Sequence, residues 1–82
     1  MKNIIYSDYL ELRHNDIINF SIIRLKANDY KLFYEFLKFL DYEEIELYNY
    51  SFSIDVIILD IRQFTLNKMN KICFDFVKNY KI

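Results

Sequence analysis

FSIIRLKANDYKLFYEFLKFL, Phe20–Leu40, changes its hydrophobic period part-way along, and that change decides the fold. Its first seven residues are rich in β-branched side chains and read as a strand. The polar break Ala27-Asn28-Asp29 follows, where Asn28 or Asp29 can cap a helix by accepting an orphan backbone N–H bond. Leu32, Phe33, Phe36, Leu37 and Leu40 then recur at i, i+1, i+4, i+5 and i+8, one face of a helix.

Upstream, Ile4, Tyr6, Leu10 and Leu12 share one parity, and Arg13-His14-Asn15-Asp16 supplies turn chemistry. Residues 4–26 therefore read as one hairpin, and the first half as ββα. Downstream the order repeats. Two strand-like segments flank a turn near Asn49–Ser53, and Thr65 caps a helix with Leu66, Met69, Ile72, Cys73, Phe76, Val77 and Tyr80 on one side. Asn67, Lys68, Lys71, Lys78 and Lys81 lie opposite.

The halves overlay. Leu10-Glu11-Leu12 matches Ile45-Glu46-Leu47 at an offset of 35, and an offset of 36 pairs Ile22 with Ile58, Leu25 with Ile61, Phe33 with Met69 and Phe36 with Ile72. The expected architecture is α+β: one domain over residues 1–82, a duplicated ββα-ββα chain with a four-stranded antiparallel sheet and both helices on one face. Ile17, Ile18, Phe20, Ile22 and Ile23 place apolar residues on both parities of the second strand, as do Phe52, Ile54, Val56, Ile57 and Ile58 in the fourth. A sheet covered on one side alternates cleanly, so a second copy of the chain is expected on the other face, making a homodimer.

Composition narrows the function classes. At 82 residues the chain holds one core, and an apolar fraction of 54% with eight Phe and eight Tyr is enough to build it. Thirteen isoleucines, eight asparagines and eight lysines against one alanine and three arginines indicate an AT-rich gene. No glycine is present, which excludes Gly-rich phosphate loops of the P-loop and dinucleotide kinds. One cysteine excludes an intramolecular disulfide and a multi-cysteine metal site. No stretch has the form of a signal peptide or membrane span, so a cytoplasmic protein without membrane contact is expected.

Few residues invite chemistry. Asp55 and Asp60 bracket the run Val56-Ile57-Ile58-Leu59; five apart in a strand, they face opposite ways at a separation of roughly 16 Å and cannot form a close pair. Asp60 is placed to pair with Arg62, two residues on. His14 reads as a solvated turn residue beside Asp16, and Cys73 as a buried small hydrophobe. No catalytic, cofactor-binding or metal-binding residues are assigned. For an enzyme assembled across a dimer interface, His14, Asp16 and Asp60 are the candidates.

Charge is more informative. Residues 41–61 carry six acidic and no basic residues, whereas residues 62–82 carry Arg62, Lys68, Lys71, Lys78 and Lys81 against Asp75 alone. With Glu44, Glu46, Tyr48 and Tyr50 on one face of the third strand, and Glu43 beside it, carboxylates and amphipathic rings form one stripe suited to a protein partner with a basic surface. Nucleic acid on the lysine face is the alternative, disfavoured by a pI below 6 and three arginines.

In profile, as a tiny chain of AT-rich coding without catalytic residues, the protein resembles phage and mobile-element inhibitors of host machines, anti-CRISPR proteins among them. The resemblance rests on no particular residue. It implies a non-enzymatic protein-binding module, encoded by a phage or other mobile element, that inhibits a host nucleic-acid-binding machine.

Overall fold

The computed structural model describes residues 1–27 and 29–80. Asn28 and Lys81, named above as a candidate cap and a member of the lysine face, lie outside them. The order is β1 (Lys2–Ser7), β2 (Leu10–Asn15), β3 (Phe20–Lys26), α1 (Tyr30–Tyr42), β4 (Asn49–Phe52), β5 (Val56–Arg62) and α2 (Leu66–Asn79). The strands form one antiparallel sheet in the order β1-β2-β3-β5-β4. The class is α+β, as the periodicities require.

The sheet has five strands, not four, because the chain turns twice before β3. Between β1 and β2 it reverses at Asp8 and Tyr9, where the Ser7 hydroxyl accepts the Tyr9 N–H at 3.2 Å. The second reversal is not at residues 13–16. Arg13, His14 and Asn15 belong to β2, and the turn occupies residues 16–19, set by Asn15 Oδ1 accepting the Ile17 N–H at 3.0 Å and by Asn19 at φ 48°. Asparagine tolerates that left-handed conformation better than a β-branched residue. Ile17 and Ile18 sit exposed in this turn, outside any strand.

In the second half, residues 45–48 are not a ladder strand. Glu44 takes φ 58° after α1, Ile45 N–H returns to the Leu40 carbonyl at 2.8 Å, and pairing begins only at Asn49. The turn into β5 falls at residues 53–55, leaving Ile54 fully exposed.

Both helices start where the polar breaks predict. Asp29 accepts the Leu32 N–H at 2.9 Å, and Thr65 accepts that of Lys68 at 3.2 Å. Each cap is worth about 1 kcal/mol. Leu32, Phe33, Phe36 and Leu40 of α1 and Met69, Ile72, Cys73 and Phe76 of α2 are buried against Leu10, Leu12, Ile23, Leu25, Ile57, Leu59 and Ile61 of the sheet. Phe36 and Phe76 meet edge to face at 4.8 Å between ring centroids. The buried sheet residues all point to one side, so both helices cover that side and the other is open.

The central register carries a symmetry. Ile23 pairs with Leu59, 36 residues on, and Phe20 with Arg62 and Lys26 with Val56 around it. An antiparallel pair centred on residues one repeat apart has a local two-fold axis between them. The element order is βββα-ββα, not the duplicated ββα-ββα expected, and Ile45–Leu47 falls short of the strand it was matched to. β1 breaks the symmetry: it lies on the outer edge of β2, whereas the outer edge of β4 carries no strand among the described residues.

Candidate binding surface

The expected stripe of Glu44, Glu46, Tyr48 and Tyr50 is split in two. Tyr48 N–H donates to the Asp60 carbonyl at 2.9 Å, although Asn49 is the residue paired with Asp60. This one-residue irregularity turns Tyr48 toward Arg62, whose guanidinium carbon lies 3.6 Å from the tyrosine ring centroid. Tyr48, Arg62, Glu44, Glu46, Gln63 and Phe64 line an open cleft of about 400 Å³. Two carboxylates against one guanidinium leave it acidic. Glu43 is turned elsewhere, half-buried and close enough to Lys71 to help raise that lysine's pKa, behind the larger effect of Asp75, which accepts a hydrogen bond from the Lys71 ammonium at 2.6 Å.

Tyr50 belongs to a different group. Paired with the inward Leu59, it leans to the helix side, 5.9 Å from Phe33 and 5.6 Å from Phe52. Phe52 touches Phe33 and Tyr30, at 5.4 and 6.1 Å, and Tyr34 joins through Phe33 at 5.6 Å. Tyr30 and Tyr34 are one helical turn apart and so share a side of α1. The result is an aromatic shelf beside β4 on which Tyr30, Tyr34, Tyr50 and Phe52 are each more than half exposed. Sequence reasoning found Tyr50 and missed the other three. The signal was available: Tyr30 and Tyr34 lie off the Leu32-Phe36-Leu40 stripe at i, i+4.

The open face of the sheet is mixed. All three arginines are on it, with Lys26, Glu11 and Asp60, interleaved with half-buried Phe20, Ile22, Val56 and Ile58. Glu11 holds Arg13 at 3.1 Å and Arg24 at 3.6 Å, and Arg62 is stacked on Tyr48 rather than paired with Asp60. Each arginine thus has an acidic or aromatic neighbour within the chain. The apolar runs that suggested a covered second face lose Ile17, Ile18 and Ile54 to turns, and the alternation is cleaner than the sequence implied.

His14 is not a solvated turn residue. It faces the core from β2, fully buried, with Nδ1 2.7 Å from the Ser21 hydroxyl and Nε2 without a partner among the described residues. Asp16 is exposed in the turn and Asp60 lies on the open face, so the three candidates for an interfacial enzyme do not converge. Asp55 is exposed at the turn before β5, within 3.4 Å of the Ser53 hydroxyl. Cys73 is buried as expected, and burial pushes its thiol up to about 12. Burial likewise raises Tyr6, which donates to Asn70 on α2. Among the described residues no three His, Cys, Asp or Glu side chains lie together as metal ligands, and no helix is long and apolar enough to cross a membrane.

No protein-family model, curated protein or solved structure matches the chain.

Proposed function

We propose that this chain is a non-enzymatic protein-binding module whose working surface is the acidic cleft of Glu44, Glu46 and Tyr48 together with the neighbouring aromatic shelf. The observation that carries the reading is the exposure of four large rings beside an acidic cleft. Tyrosine and phenylalanine bring contact area at low entropic cost, and exposed apolar patches of this kind mark interaction sites. A partner with a basic surface is steered to the carboxylates and held by the rings. A small inhibitor that occupies a basic groove of a host machine works in this way, which is the class the profile resembles. The nucleic-acid reading loses ground on geometry: Lys71 is paired with Asp75, Lys68 is half-buried, and the arginines are engaged.

The test compares three nuclease-treated baits in one lysate: wild type, Glu44→Gln with Glu46→Gln, and Lys68, Lys71 and Lys78 all to Gln. Basic proteins retained by the wild type should be lost by the glutamate variant and kept by the lysine variant. Loss from the lysine variant alone, or loss on nuclease treatment, would reverse the reading in favour of nucleic acid.

A further inference from the structure

The two edges of the sheet are built differently. β1 is protected in the usual ways: it opens on Lys2, is bulged between Ile5 and Ser7, and is tied to α2 through Tyr6 and Asn70. β4 is guarded differently: its irregularity lies at Tyr48, ahead of the strand, and its link to a helix is the ring contact of Tyr50 and Phe52 with Phe33 and Tyr30 of α1. From Leu47 to Ile54 there is no charged residue and no proline, all four strand residues are exposed, and the pairing with β5 is regular from Asn49 to Phe52. Ser53 N–H donates to the Val56 carbonyl at 2.9 Å, so by antiparallel alternation Ser51 bonds inward and the main-chain groups of Tyr50 and Phe52 point away from the sheet. Among the described residues the Tyr50 N–H is met there by the Asn49 side chain, at 2.9 Å.

The molecule itself displays what fits such an edge. β1 lies antiparallel on β2, the strand that the local two-fold relates to β4, with Ile4 and Tyr6 directed to the helix side against α2. The corresponding position on β4 is flanked by the shelf of Tyr30, Tyr34, Tyr50 and Phe52 on α1 and β4.

We infer that the outer edge of β4 is a strand-addition dock for an extended segment of a partner protein, antiparallel to β4, with alternate apolar side chains on the aromatic shelf and basic residues at its C-terminal end in the Glu44–Glu46 cleft. The inference rests on the protein-binding reading and specifies its mode. Antiparallel addition sets the C-terminal end of the incoming strand beside the start of β4, where the cleft lies, which fixes which end is basic. A second copy of β4 fits less well. The four half-exposed rings offer roughly 300–500 Å² per copy, so two copies fall short of the roughly 1,200 Å² that a stable specific dimer buries.

The experiment titrates the full chain with a synthetic acetylated decapeptide alternating Thr with Ile or Tyr and ending in Lys-Arg-amide, and with the same peptide ending in Glu-Glu-amide. Two-dimensional NMR and amide exchange report the site. The basic peptide should bind below about 1 mM and slow exchange at Tyr50 and Phe52, and the acidic peptide at least tenfold more weakly. N-methylation of one peptide amide facing β4 should cost about tenfold, the loss of one hydrogen bond, and methylation of an amide facing away should cost little. Tyr34→Ala, at an exposed ring on the rim of the core, should weaken binding without unfolding the protein. Failure of both peptides to bind, equal sensitivity to N-methylation on either side, or protection mapped to Ile22 and Ile58 on the open face would each overturn the dock. So would Tyr50 and Phe52 amides already protected in the free protein at a mass of twice 10.2 kDa, which would give the edge to a second copy. If a captured basic partner still depends on Glu44 and Glu46 while those two amides exchange unchanged in its complex, the dock falls and the binding reading stands.

Discussion

Raising the pH should unfold this protein in part through one thiol. Cys73 is fully buried on α2, and desolvation of the thiolate pushes its pKa from an ordinary value near 9 up to about 12. In the unfolded chain the thiol ionises near 9; in the folded chain it stays protonated for some three pH units more. The folded pKa is the raised one, so the stabilisation is fully present below pH 9 and is lost as pH climbs from 9 to 12, at about 1.4 kcal/mol per unit. Roughly 2 kcal/mol should be gone by pH 10.5. Tyr6, also raised by burial, adds to the alkaline loss, so the cysteine share must be isolated by difference. Urea titrations of wild type and Cys73→Val at pH 7, 9 and 10.5 do this: the packing cost of the substitution is a constant offset, whereas the gap should close by about 2 kcal/mol between the two higher values. The same burial predicts slow alkylation. At pH 8 the native thiolate fraction is about 10⁻⁴ against about 10⁻¹ unfolded, a thousandfold deficit before steric exclusion. Parallel pH curves for the two proteins, or native labelling as fast as labelling in urea, would refute the reasoning.

Two other predictions concern stability. Ser21→Ala leaves His14 Nδ1 without its partner in a fully buried site and should cost about 1–3 kcal/mol in urea denaturation, while the double change Ser21→Ala with His14→Leu, which removes the polar group as well, should recover most of it; a double variant as weak as the single one would show that the pair is held by something else. Glu44→Gln with Glu46→Gln should shift stability by under about 1 kcal/mol, since both side chains are exposed, and a larger loss would mark them as structural.

What the sequence disclosed follows from which forces act locally. The 3.6-residue stripes of α1 and α2 and the caps at Asp29 and Thr65 are short-range features and were legible residue by residue. The pairing of Ile23 with Leu59, which spans half the chain, was not legible from the overlay of the two halves. Turns were harder, because none contains glycine. The reversal at Asp8 and Tyr9 leaves Ile4, Tyr6, Leu10 and Leu12 on one parity, so a single strand and a tight hairpin look alike. His14 was misplaced for a related reason: its polarity suggested solvent, while its parity with Leu10 and Leu12 already put it in the core, opposite a serine small enough to bond it. The stripe of Glu44, Glu46, Tyr48 and Tyr50 failed through one irregular hydrogen bond at Tyr48, an event no alternation pattern encodes.

The lysine-free β4 edge bears on composition as well as on binding. An AT-rich gene drifts toward Phe, Tyr, Ile, Asn and Lys, and drift alone could scatter rings over a surface. Lysine is on that list, and it is also the commonest guard of an exposed edge strand. The chain has eight lysines, yet none between Lys38 and Lys68, the stretch that contains β4 and both its flanks. Mutational bias therefore supplies the very residue that would blunt this edge, and the edge lacks it. A bare edge invites association with other chains and so carries a standing risk of aggregation. β1, by contrast, carries both a lysine and a bulge. On the proposed strand addition, the absence of lysine at β4, with carboxylates at its entry and rings along its side, leaves the edge open to the partner segment.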